Sequence, residues 1–201
     1  MDTSYIFFDQ ELASGVAPIM VDDEGQNTIV IVPGANDNLL PSDIRRAERV
    51  IRSADILVCQ MEIPLETSIV AMRIAKDAGV RTIFNPAPAR ALPQEIIELS
   101  EIIAPNETET EILTGIAVKS LEDAEAAARK LRNMGASVVV ITLGARGVLV
   151  VSEEEIAHIP ARKTKAVDTA GAGANMEVIA HIFDEKVIAP IGFLIIYRRR
   201  A

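Results

Sequence analysis

The sequence predicts an α/β fold with a mostly parallel central sheet, and three observations carry that prediction. From Ile56 onward, short β-branched runs alternate with segments of helical periodicity, the pattern of βαβ units. The run "SVVVITL", residues 137–143, is nearly continuous in β-branched residues, as expected of a strand covered on both faces. Polar clusters follow the strands, which gathers them beyond the carboxyl ends, where open α/β sheets collect ligands.

Taken in order, residues 17–32 set two β-branched-rich runs about a polar, glycine-bearing turn and read as a β-hairpin. A helix over 42–53, a strand over 56–60, a helix over 66–78 and a strand over 81–85 follow. Leu65, Ile69 and Met72 fall on one face of the second of these helices. A short strand in "EIIAP" precedes "NETE". A helix over 120–134 aligns Leu121, Ala124, Ala128 and Leu131, with Ser120 and Asp123 as its cap.

At 201 residues and 49% hydrophobic, the chain can bury a sizeable core as a single domain, residues 1–201. Its net charge of −9 argues against a nucleic-acid partner, which would need a basic stripe to displace counterions. With 3% aromatic residues and no tryptophan, base stacking is not a mode of recognition either. The single cysteine, Cys59, sits in the apolar run "ILVCQ", so no intrachain disulfide forms and the residue reads as a small buried hydrophobe. A reducing, cytoplasmic location fits, and "MDTSYIFFDQE" lacks the basic flank and long apolar run of a secretory signal. The apolar stretch 187–197 is interrupted by Pro190 and Gly192 and is too short to span a bilayer; a terminal strand or an apolar patch on a truncated core is expected there.

"KAVDTAGAGANMEVIAHIF", residues 165–183, reads as a loop opening a helix, where free N–H groups and the helix dipole favour anions. It does not complete a dinucleotide fingerprint, because Met176 stands at the third glycine position, and no G-x-x-x-x-G-K-S/T loop exists elsewhere. Each motif alone has a plainer reading. Asp168 or Thr169 could merely cap a helix; Asn106 could do the same in "NETEIL"; "TLGARG" could be a tight turn; Glu62 could be a solvated loop acid.

Together, "QME" (60–62), "FNPAPA" (84–89), "NETE" (106–109), "ITLGARG" (141–147) and "VDTAGAG" (167–173) occur in order, each after a strand. That set resembles the ribokinase family of carbohydrate kinases over about residues 2–173, including "EGQNTIVIVPGAN" near the start. The resemblance implies a three-layer α/β/α fold and ATP-dependent phosphorylation of D-ribose at its primary 5-hydroxyl. It implies magnesium on the phosphates, potassium as an activating cation, and a small-molecule sugar and ATP as partners. Position by position, it implies that Glu62 contacts the sugar and that Asn106 and Glu109 organise phosphates and magnesium through water. Thr142, Leu143, Gly144, Ala145, Arg146 and Gly147 then form the nucleotide-binding turn, joined by Gly173. Asp168 and the carbonyl of Ala170 hold the monovalent cation, and Gly171, Ala172 and Gly173 form the anion hole.

The sequence departs from this pattern. The family's loop reads G-A-G-D, its aspartate serving as general base and sugar ligand; here the position is Ala174, so no catalytic base is identified. Ala170 stands where threonine is common. The resemblance also implies an incomplete domain, without the glycine-rich sugar-gripping segment of the family's first third, and a tail, residues 174–201, that does not align. Impaired catalysis follows as an expectation, with a non-catalytic nucleotide-binding remnant, an interaction subunit, or a kinase for another sugar or a nucleoside as alternatives. A sheet strand left unpaired beside the missing part would be an exposed edge, so a homo-oligomer is expected.

Overall fold

The structure, a computed structural model, describes residues 4–22, 27–161, 185–191 and 194–199, the last two segments as backbone. It opens with the expected hairpin, β1 (Ile19–Val21) antiparallel to β2 (Asn27–Ile29). The expected helix over 42–53 is instead two, α1 (Pro41–Arg46) and α2 (Glu48–Arg52), broken at buried Ala47, where the backbone leaves the helical region. Ile44 and Ile51 keep one apolar face across the break, so the periodicity gave no sign of it.

Next come β3 (Ile56–Cys59), α3 (Leu65–Asp77), β4 (Arg81–Phe84), α4 (Gln94–Leu99), β5 (Ile102–Ile103), α5 (Glu107–Thr114), α6 (Leu121–Asn133) and β6 (Val138–Thr142). The strands β7 (Val148–Val151), β8 (Ile156–Ile159), β9 (Glu185–Ile191) and β10 (Leu194–Arg199) complete the order. The sheet runs β8-β7-β6-β5-β4-β3-β10-β9. β3 to β6 are parallel in sequence order; β7 and β8 add antiparallel at one side, and β10 and β9 at the other.

Parallel strands need covering, and their side chains alternate between two apolar clusters. Leu57, Cys59, Phe84, Ile103, Val139 and Ile141 pack with buried residues of α1, α2, α3, α4 and α6. Ile56, Val58, Ile83, Ile102, Ala104 and Val140 form a cluster on the opposite face. The described helices supply the first covering layer; a second helical layer is not among the described residues.

The buried residues of α3 are Thr67, Ser68, Ala71, Met72, Ile74 and Ala75, with Leu65 and Ile69 partly covered. Of the expected face, Met72 is buried and Leu65 and Ile69 pack against the same core. In α6 the expected face holds, and Ser120 and Asp123 cap it reciprocally. β3 is paired on both sides, since Leu194, Ile195, Ile196 and Tyr197 of β10 pair antiparallel with Cys59, Val58, Leu57 and Ile56. Exposed apolar residues gather instead on the hairpin, where Val16, Ile19, Met20, Val21 and residues 29–32 face solvent. Among the described residues no helix is long and apolar enough to cross a membrane.

Candidate functional site

Because β3, β4, β5 and β6 are parallel, the segments that leave their carboxyl ends must share one rim of the sheet. Hydrogen bonds stitch that rim together. Met61 N–H donates to Ala87 O (2.9 Å), Asn85 N–H to Cys59 O (2.9 Å), and Thr142 N–H to Pro105 O (3.0 Å). Asn106 and Thr142 form a parallel bridge. Glu62, Asn106, Glu109 and the turn of residues 142–147 are thus on one edge, as the sequence implied. The residues of the glycine loop, Asp168, Ala170, Gly171, Ala172, Gly173 and Ala174, lie outside the described residues.

Glu62 is presented by its neighbours: Met61 and Ile63 are buried anchors, which leaves the residue between them half-covered at the rim. That partial burial raises its carboxyl pKa above the usual glutamate value. At the end of β4, Asn85 is 5% exposed, and its Oδ1 has no hydrogen-bond partner among the described residues. An unmatched buried acceptor on a ligand-gathering rim is unusual in a folded protein. The sequence placed Asn85 on this edge within "NPAP", but only burial reveals the unmatched oxygen.

Asn106 is the N-cap of α5, so the plain capping role is real; the structure adds what the cap does to Glu109. Asn106 Oδ1 accepts from Glu109 N–H (2.8 Å), while Glu109 Oε2 accepts from Asn106 N–H (2.8 Å) and its Oε1 from Asn106 Nδ2 (2.9 Å). Glu109 is only 7% exposed. Burial raises its pKa, partly countered by the Asn106 N–H bond. The result is a fixed carboxylate at a helix N-terminus, each oxygen holding one donor and retaining acceptor capacity.

The turn after β6 is a 3₁₀ turn, Gly144–Arg146, with Gly144 at φ +53° and Gly147 at φ +97°. Leu143 is buried and anchors it, its N–H donating to Gly147 O (2.8 Å). Gly144 and Ala145 are exposed. A Cβ on Gly147 would lie 2.0 Å from Ile159 O, so only glycine lets the turn press on β8. The Arg146 guanidinium is engaged by Glu107 and by the carbonyls of Val118 and Lys119.

Among the described residues no cluster of three or more His, Cys, Asp or Glu could hold a metal unaided. A buried carboxylate paired with the Asn106 side-chain amide is, however, compatible with magnesium when substrate phosphates and water supply most of the ligands.

The sequence profile of the pfkB family carbohydrate kinases matches residues 1–175. The chain is 44% identical over 173 residues to ribokinase of Staphylococcus aureus (strain COL), covering 86% of this chain and 57% of that one. It is 38% identical over 185 residues to deoxyribokinase of Salmonella typhi, covering 91% and 60%. It superposes on the structure of Arabidopsis thaliana ribokinase complexed with ribose and ATP with a TM-score of 0.74 at 29% identity, over 86% of this chain and 58% of that one. The chain therefore spans a little over half the length of these relatives. Motif order, parallel rim and profile agree, and the chain belongs to the pfkB family of carbohydrate kinases, among its ribokinase-like members.

Proposed function

We propose that the chain serves ATP-dependent phosphorylation of a sugar, D-ribose at its primary 5-hydroxyl to give ribose 5-phosphate being the first substrate to test. The observation that carries this is the convergence of Glu62, the Asn106–Glu109 pair and the turn 142–147 on one sheet edge. Phosphoryl transfer asks a protein mainly for positioning and electrostatic stabilisation, and such an edge supplies both. Glu62 would accept hydrogen bonds from sugar hydroxyls. Asn106 and Glu109 would hold magnesium through water, and Asn85 Oδ1 is a further hard acceptor on that edge. Magnesium, when bound, neutralises charge on the phosphate oxygens. Potassium would fall to Asp168 and the Ala170 carbonyl, and the anion hole to Gly171, Ala172 and Gly173, by family pattern.

The same pattern puts the general base at Ala174, which has no proton acceptor. Loss of a positioned base costs on the order of 10²- to 10⁴-fold, so we infer weak turnover. Ala174 equally favours a second reading, nucleotide binding without transfer. The likeness to a deoxyribokinase makes 2-deoxyribose the competing sugar. Calorimetry with ATP and magnesium, alongside ADP release with ribose or 2-deoxyribose, tests all three. Heat with sugar-dependent ADP supports a kinase, and heat without ADP supports the binding role. No heat from folded protein overturns both. We also propose that copies associate through the apolar hairpin β1–β2.

A further inference from the structure

We infer that Arg146 is a positioning residue that never touches the nucleotide, resting on the reading of turn 142–147 as a nucleotide-binding element. A basic residue in an anion-binding turn would ordinarily be assigned to phosphate. Here three of its five N–H donors are already committed within the protein. Arg146 Nη1 donates to Lys119 O (2.9 Å), and Nη2 donates to Val118 O (3.1 Å) and to the Glu107 carboxylate. These acceptors belong to the start of α5 and to the segment between α5 and α6, away from the chain of the turn itself.

Three other contacts hold the ends of the turn, while Gly144 and Ala145 at its tip stay exposed. The Arg146 carbonyl lies 2.7 Å from a ring nitrogen of His158, on β8. Gly147 presses on the backbone of residues 159–161 too closely for any side chain. Thr142 is bonded to Pro105, next to Asn106. Glu107 sits one residue after Asn106 and two before Glu109, so the Arg146–Glu107 pair joins the turn to the helix end that carries the phosphate-organising pair. The charge-assisted bond from Nη2 to one Glu107 carboxylate oxygen, with the two carbonyl bonds beside it, fixes the direction of the guanidinium as well as its distance. The clamp sets the spacing between two halves of one nucleotide site before any ligand arrives, which lowers the ordering cost of binding.

Direct contact and positioning predict different thermodynamics. ADP with magnesium is titrated into the chain and into Arg146→Ala, Arg146→Lys, Glu107→Ala and the Arg146→Ala/Glu107→Ala double variant, at two salt concentrations. Thermal melts confirm that each variant is folded. Positioning predicts that Arg146→Ala and Glu107→Ala each weaken ADP by a similar factor, roughly tenfold, and that the double variant is no worse than either. The salt dependence of binding stays that of the parent chain, and Arg146→Lys recovers part of the loss. Amide hydrogen exchange rises together in the turn and at the start of α5 in both single variants without ligand. Arg146→Ala losing ADP and its salt dependence while Glu107→Ala binds normally would overturn the role and leave the nucleotide reading intact. No heat from the folded parent chain would overturn both, and exchange in that case reports only whether the clamp exists.

Discussion

Asn106 and Glu109 hold each other through three hydrogen bonds across a single turn, a backbone N–H and a side-chain amide of one meeting the carboxylate of the other. Asn106→Ala removes the cap acceptor and one donor to a buried carboxylate. The expected loss is about 1–2 kcal/mol, the upper end of measured cap deletions, read as a lower midpoint in denaturant. Asn106→Asp keeps the cap acceptor but sets a second carboxylate against Glu109 Oε1. It should destabilise near neutral pH and recover on acidification.

Glu109 also predicts a pH dependence of its own. Its folded pKa is raised, chiefly by burial, above the unfolded value. A raised pKa means that the folded state favours the protonated form, so this contribution is fully present below the unfolded pKa of about 4.3 and is lost as pH rises through the folded value. The chain should therefore gain stability relative to Glu109→Gln as pH falls from 7 toward 4. Parallel melting curves for the two proteins would show this, and a gap that stays constant over that range would refute it.

Two glycines with positive φ should respond differently to alanine. Gly79 at φ +72° has nothing within 4 Å of an added Cβ, whereas at Gly147 the Cβ would collide with Ile159 O and Ala161 N. Gly79→Ala should cost about 1 kcal/mol of backbone strain. Gly147→Ala should cost distinctly more and should also weaken nucleotide binding, because relief requires the turn to move off β8. Denaturant midpoints and ADP titration check the two halves.

Local signals made much of this fold legible. Helix α6 has its cap, its apolar face and its basic last turn within one stretch of sequence, and it forms as read. Strand β6 is announced by its β-branched run. Helix α4, six residues after Pro93, is too short for periodicity to register, and β8 follows the acidic "SEEE" with mostly exposed residues, so neither is legible in the sequence. The rim was legible because parallel topology alone dictates it. The partner of Arg146, 39 residues away in sequence, was not, since nothing local distinguishes a guanidinium facing a ligand from one facing a glutamate.

A further expectation concerns Ala174→Asp. It restores a proton acceptor at the family's base position, but a base acts only on a hydroxyl held within reach, and by family pattern Glu62 is the one sugar contact assigned in these 201 residues. Ribose-dependent ADP formation in magnesium and potassium should change less than about tenfold, short of the 10²- to 10⁴-fold a positioned base contributes. A larger rise would mean that the sugar is already held.

The pairing of β10 with β3 joins residues about 135 positions apart, whereas β3 to β8 are linked by consecutive connections. During synthesis, β3 to β8 can assemble from neighbouring segments while β10 is still within the ribosome. The flank of β3 therefore stays open until β10 has emerged. Closing so long a loop is entropically slow, and that interval is when two nascent or newly released chains would most readily pair with each other. Yield on refolding should consequently fall with protein concentration more steeply than the stability of the finished sheet would suggest.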